Sequence, residues 1–201
     1  MSHFVFEKLV NNIKDNQFSF DTKHQLQCLH KIKAGGDFIC VTDDLISISQ
    51  AIIAAFIEKE QTPADDDAPR FLIMAPEKET ALLIEEIWVK LSRRTEIIHT
   101  VTHEKGDKVK QRNALFQGAD VVIGTPKRMN ELYFQNGINI NKLKYFLMID
   151  ADKCVRASSI GYISRMIESF PKCQKMVISK VMEKNTEKIS ELILSNPLVF
   201  Q

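Results

Sequence analysis

The chain is poor in several features that would announce a specialised chemistry. Its four cysteines, Cys28, Cys40, Cys154 and Cys173, are widely spaced and include no Cys-x-x-Cys pair. That speaks against a disulfide scaffold or a zinc knuckle and leaves reduced thiols, as in a cytoplasmic protein. No apolar run approaches the ~18 residues that would suggest a membrane span, so no membrane partner is expected. The opening "MSHFVFEKLV" mixes charge among its apolar residues, unlike a secretory leader. Net charge is only +1, so any affinity for nucleic acid must come from local clustering. The seven glycines are followed by Gly, Asp, Asp, Ala, Thr, Ile and Tyr, so no Gly-Lys pair of a phosphate-wrapping loop occurs. The histidines, His3, His24, His30, His99 and His103, stand singly, with no arrangement suggesting a metal ligand set or a triad.

What is present is ordinary globular composition, 44% apolar and 26% charged, in 201 residues. A chain of this length buries about 70% of its unfolded surface without staples. One domain over 1–201 is expected, residues 1–16 being a helical extension of a 17–201 core. Short apolar runs at 37–42, 70–75, 95–101, 119–124, 145–150 and 175–179 read as strands buried on both faces. Between them, 45–60, 77–92, 107–117, 127–135, 157–169 and 184–195 have helical period. Strict alternation predicts an α/β fold, a doubly wound parallel sheet flanked by helices. The acidic, proline-punctuated 61–69 reads as a surface loop. In 79–91, Leu83, Ile84, Ile87, Trp88 and Leu91 form one apolar helical face, which makes Trp88 a core residue. In an open α/β sheet ligands bind beyond the carboxyl ends of the strands, which directs attention to 42–49, 75–79, 102–106, 124–128, 150–154 and 179–182.

Taken in order, these segments resemble the first RecA-like lobe of DEAD-box RNA helicases, a P-loop NTPase-type fold. "QFSFDTKHQ" (17–25) is similar to the family's adenine-recognition segment, with Phe18, Thr22 and Gln25 in place. "APEKETALLI" (75–84) keeps Pro76, Glu79 and Ala81 of the family's Pro-Thr-Arg-Glu-Leu-Ala and has Lys78 for arginine. "GADVVIGTPKRM" (118–129) resembles the Thr-Pro-Gly-Arg segment, with Thr125, Pro126 and Arg128. "QKMVISKVM" (174–182) keeps only Ser179 of Ser-Ala-Thr. The match runs from about residue 17 to Pro197, where the family's first lobe ends, so a stand-alone lobe is expected.

The departures from the family concentrate at the nucleotide site. By spacing, the phosphate loop falls on "TDDLISIS" (42–49), which has no glycine, Ile48 at the lysine position and only Ser49 as a hydroxyl. Asp43 and Asp44 lie where a triphosphate would sit. Like charges at 4 Å repel by roughly 4 kcal/mol at an effective dielectric of 20. The family's Asp-Glu-Ala-Asp falls on Ile149-Asp150-Ala151-Asp152, so the magnesium-holding aspartate is isoleucine. Phosphoryl transfer needs both cradle and metal. The expectation is therefore a pseudoenzyme with no catalytic residues, no metal and no cofactor, its ATP and magnesium site lost.

Several residues carry two readings. Gln25 contacts adenine or simply opens a helix; Asp150 and Asp152 hold a cation or serve as turn residues and caps. In the family the segments matching 76–79 and 125–128 grip the RNA backbone. Here that would mean Pro76, Lys78, Glu79, Thr125, Pro126, Lys127 and Arg128. Thr125-Pro126 is also an N-cap followed by proline at the first helical position. Residues 90–130 hold nine Lys/Arg against four Asp/Glu, a basic face or scattered solvated charges. The family's Gly-Gly, which admits RNA closely, maps to Glu104-Lys105. Two functions follow: weak, ATP-independent binding of RNA or another single-stranded nucleic acid, or a scaffold that docks a protein partner or a second copy. Residual ATP-dependent activity is a third.

Overall fold

A computed structural model describes residues 2–60, 68–155 and 159–201. Seven parallel strands form one sheet: β1 (Phe38–Val41), β2 (Phe71–Met74), β3 (His99–Thr102), β4 (Val121–Gly124), β5 (Tyr145–Ile149), β6 (Gln174–Ser179) and β7 (Leu198–Phe200). Their order is β3-β4-β2-β5-β6-β1-β7. The period-2 alternation of the strands feeds two apolar layers. Phe38, Phe71, Ile73, Tyr145, Leu147 and Met176 pack on one side with α1 (Ser2–Asp15), α2 (Lys23–Ala34), α3 (Leu45–Lys59) and α4 (Lys78–Leu91). Ile39, Leu72, Val122, Phe146 and Val177 pack on the other. That side is covered by α5 (Lys108–Phe116), α6 (Pro126–Phe134), the four-residue α7 (Ala151–Cys154), α8 (Ile160–Glu168) and α9 (Lys184–Ile193). The first half of the chain therefore covers one face and the second half the other, the doubly wound arrangement expected.

Some boundaries differ from the sequence reading. The run at 95–101 becomes a strand only from His99, because the Ile98 N–H donates to Asp120 Oδ2 (2.8 Å) instead of to a neighbouring strand. β3 is an edge strand and only half-buried, not covered on both faces. β7 pairs with β1 at the opposite edge and was not anticipated. α1 docks on the core: Leu9 is buried, and Asn12 Nδ2 donates to the carbonyls of Leu91 (2.9 Å) and Arg93 (2.8 Å) at the end of α4. Trp88 is fully buried beside Phe56, whereas Leu83 is 41% exposed and off that face. Most of the 61–69 loop and the start of the helix expected at 157 lie outside the described residues. Cys28, Cys40 and Cys154 are buried and, with Cys173, are free thiols. No described helix is long and apolar enough to cross a membrane.

Candidate functional site

The carboxyl edge of the sheet collects the segments singled out above. β1 ends at Val41, and Thr42 continues beside β6 by donating its N–H to the Ser179 carbonyl (2.9 Å). Only Asp43 and Asp44 intervene before α3 starts at Leu45. Asp44 is the N-cap: its carboxylate accepts from the Ser47 N–H (3.0 Å). A helix N-terminus is a natural anion site, and here a carboxylate of the chain already takes it. Ile48 is buried within α3, and Ser49 Oγ donates to the Leu45 carbonyl (2.7 Å) in the interior. Neither side chain is presented to a ligand.

Gln25 is equally committed. It forms a capping box with Thr22, its Oε1 accepting from Thr22 N (3.0 Å) and Thr22 Oγ1 (3.0 Å). Its Nε2 donates to Ser19 O (3.0 Å) and Ser47 Oγ (2.6 Å). At 1% exposure the amide is internal, tying the start of α2 to the start of α3. Phe18 is half-buried against the core and stacks near Phe20, with centroids 6.5 Å apart.

At the end of β5, Asp150 adopts a left-handed conformation (φ 55°, ψ 53°), tolerated by aspartate and common at strained sites. It is 4% exposed, not a solvated turn residue. Its Oδ2 receives Lys153 Nζ at 2.6 Å, while Oδ1 is buried with no hydrogen-bond partner. Asp152 Oδ1 accepts from Ser179 Oγ (2.7 Å), whose oxygen accepts from the Asp152 N–H (3.2 Å). Burial acts upward on Asp152. The Ser179 hydroxyl and the N–H groups of Asp152 and Lys180 outweigh that and hold it below the usual carboxylate value. The contact with Asp150, then the charges of Asp150, Glu77 and Asp152, raise Lys153 against the pull of desolvation. An ammonium thus stands among these carboxylates. Among the described residues no group of three or more His, Cys, Asp or Glu is arranged to hold a metal ion.

The backbone-contact segments meet at the neighbouring strand ends. α4 begins at Lys78 behind Glu77, and α6 begins at Pro126 behind Thr125; neither N-cap makes a side-chain capping bond. Thr125 is not a capping hydroxyl as expected: its Oγ1 donates to Glu104 Oε2 (2.7 Å). Arg128 is buried. Its guanidinium donates to Gln111 Oε1 (2.7 Å), Glu104 O (3.1 Å) and Gly106 O (3.2 Å). Its Nε lies 3.3 Å from Glu131 Oε2 as an ion pair without hydrogen-bond geometry. Lys105 pairs with Glu79 (3.0 Å) on the surface. The loop 103–106 is therefore sewn to both segments. A side chain at Gly124 would strike Thr102 Oγ1 and come within 2.8 Å of the Thr102 carbonyl, so only glycine lets β3 and β4 converge before Thr125.

Lys127 is exposed and Pro76 and Lys78 are half-exposed at this edge. Burial first, then the charges of Lys78 and Arg128, lowers His103 from its usual value. Arg93 and Arg94, beyond the end of α4, lie at the opposite end of the sheet, so the basic 90–130 stretch is split between the two ends. Lys153 escaped the sequence reading although it carried a signal, its i+3 spacing from Asp150; Glu104 was singled out only as a lost glycine, not as the partner of Thr125 and Arg128.

Comparison with known proteins matches this geometry. The sequence model of the DEAD/DEAH box helicase family matches residues 22–189. DEAD-box ATP-dependent RNA helicase 14 of Arabidopsis thaliana is 25% identical over 193 residues, covering 94% of this chain and 31% of that protein. ATP-dependent RNA helicase DeaD of Haemophilus influenzae is 24% identical, covering 95% of this chain and 31% of that protein. The chain therefore spans about a third of the length of these relatives. A DEAD box protein from the hyperthermophile Methanococcus jannaschii has the same fold, with a TM-score of 0.85 at 16% identity, covering 96% of this chain and 53% of that one. By sequence and by fold, the chain belongs to the DEAD/DEAH box helicase family, as an N-terminal RecA-like domain.

Proposed function

We propose that this domain binds single-stranded RNA weakly and independently of ATP, and that it does not hydrolyse nucleotide. One observation carries the reading: α3 starts at Leu45 under an Asp44 cap, with Gln25 hydrogen-bonded to Ser47. A phosphate cradle needs a glycine-rich loop whose N–H groups converge on the ligand, with a lysine beside it. The corresponding chain here is helical from Leu45, is capped by the Asp44 carboxylate and carries buried Ile48 within its first turn. The family implies ATP with magnesium, and these residues do not fit that group; Lys153 on Asp150 supplies a positive charge of the chain's own.

RNA remains a fitting partner because the relatives are named RNA helicases and because the other segments keep anion-binding chemistry. The first N–H groups of α4 and α6 have no side-chain cap, and Lys78 and Lys127 flank them. Such groups position phosphates without reading bases. The second reading, a protein-docking scaffold, is favoured by Arg128, whose guanidinium is spent on the loop 103–106.

The test is fluorescence anisotropy of a labelled single-stranded RNA across a salt series, with and without ATP. About two to four phosphate contacts give a log–log slope of roughly −1.5 to −3. Lys127→Ala should flatten that slope by nearly one contact while leaving stability unchanged. Absence of binding at low salt would sink the RNA reading in favour of the scaffold. ATP turnover abolished by Asp150→Ala would sink the claim that the domain does not hydrolyse nucleotide.

A further inference from the structure

The amino end of the sheet, opposite the segments above, carries a separate feature. A cavity of about 440 Å³ opens beside the starts of β1, β5 and β6. Its walls include Lys59, Lys144, Lys172 and Lys175. Lys31 lies over the rim: a Cβ built on Gly36, itself a wall residue, would come within 2.5 Å of its Nζ. Five ammonium groups share one opening in a chain whose net charge is +1.

The carboxylates nearby are already engaged. Asp37 is buried and accepts from the N–H groups of Lys175 (2.8 Å) and Ser195 (2.9 Å). Glu60 is shared by Arg70 (2.9 Å) and Lys144 (2.8 Å). Among the described residues, Lys31, Lys59, Lys172 and Lys175 have no carboxylate at ion-pair distance. Lys59 is nonetheless held in place: its Nζ lies 3.4 Å from the Ile32 carbonyl and 5.4 Å from the Tyr145 ring centroid.

Helix dipoles account for part of this. Lys31 and Lys59 sit in the last turns of α2 and α3, where positive charge is favourable. They do not account for Lys172, in the turn before β6, or Lys175, in β6 itself. Cations brought together from α2, α3, the start of β5 and β6 repel one another unless an anion lies between them. The cavity falls within the range of small-molecule sites, about 300–1,000 Å³. Gln174, also in the wall, fixes its Nε2 on Gly36 O (2.7 Å) and Lys31 O (3.2 Å) and leaves Oε1 buried without a donor. A ligand hydroxyl or a protonated phosphate oxygen would satisfy it.

We propose that this lysine-ringed cavity binds a small polyphosphate anion, either free or as the phosphate group of a larger metabolite. Lysine serves phosphate as a mobile point charge, and four lysines without an ion-pair partner among the described residues, against the single wall carboxylate of Asp37, match an anion carrying several charges. The inference goes beyond the RNA reading and is independent of it, since the two sites lie at opposite ends of the sheet.

Isothermal titration calorimetry of the full chain with inorganic pyrophosphate, at fixed ionic strength and with sulfate as control, tests it. Saturable one-to-one binding tighter than about 100 μM is expected. The variants Lys172→Glu and Lys59→Gln/Lys172→Glu change exposed side chains and should fold, as a thermal melt would verify. The single variant should weaken binding several-fold and the double variant by more than about tenfold. Lys127→Ala, at the other end, should leave it unchanged. No saturation by about 1 mM would overturn the proposal. So would equal affinity in the double variant, or sulfate binding as tightly as pyrophosphate, since either marks an adventitious ion only.

Discussion

Lys153 sets the character of the acidic turn after β5. With its ammonium 2.6 Å from Asp150 Oδ2, the buried carboxylate is compensated from within the chain. The sequence shows Asp150, Asp152 and Lys153 close together, and the helical turn α7, capped by Asp150 in a left-handed conformation, brings the i+3 lysine back onto the carboxylate. Arg128 was legible as a basic residue at a helix start. Its burial was not, because that depends on Gln111 and on carbonyls of a loop 22 and 24 positions away. Ser179 is the one survivor of its motif, and its partner is now clear. Its hydroxyl holds Asp152 as the charged form, against burial. Because the folded value is depressed, this stabilisation is present above the unfolded value, about 3.9, and is lost as pH falls through the folded value. Ser179→Ala should therefore be less stable than the parent at neutral pH, and the gap should narrow as pH drops below about 4. Urea melts from pH 7 downward would measure it; a gap that stays constant with pH would show that Ser179 acts on packing alone.

At the scale of elements, most of the architecture was readable because buried parallel strands are short, apolar and separated by helical periods. β7 was not, since Leu198 and Val199 are half-exposed and only Phe200 is buried, so no apolar run marks the edge. One conflict was visible in the sequence itself. Helical period begins at residue 45, whereas family spacing lays a loop over 42–49; the fold follows the period. The reason is local: Asp44 caps, Ile48 faces the core, and no glycine favours unwinding. Gln25 then couples the two helix starts, closing the capping box of α2 and bonding Ser47 of α3. Gln25→Ala removes both and should cost about 2 kcal/mol, the sum of a lost cap and a lost buried hydrogen bond. A double-mutant cycle with Ser47→Ala should return a coupling of about 0.5–1.5 kcal/mol. Additivity within about 0.3 kcal/mol would mean that α2 and α3 are capped independently.

At the scale of the whole molecule, Arg70 joins parts of the chain that are far apart in sequence. At 7% exposure, it reaches Glu60 beyond the end of α3 (2.9 Å) and Asp120 before β4 (2.8 Å). Glu60 in turn meets Lys144 Nζ (2.8 Å) and the Tyr145 hydroxyl (3.4 Å) at the start of β5. Burial, followed by the charge of Glu60, pushes Tyr145 up to about 12, so it remains a neutral donor. The network fixes the amino end of the sheet while the candidate RNA segments occupy the carboxyl end. Arg70→Met would leave two buried carboxylates short of a partner, at a cost of about 3–5 kcal/mol. Adding Glu60→Gln and Asp120→Asn removes the stranded charges and should restore more than half of it. Urea midpoints at constant m-value would report the loss and the recovery. RNA anisotropy on the folded variants should be unchanged, because among the described residues the network lies at the amino end of the sheet, away from Lys78 and Lys127. If RNA affinity instead fell with stability, the two ends of the sheet would be coupled through α3, whose last turn adjoins Glu60 and whose first carries the Asp44 cap.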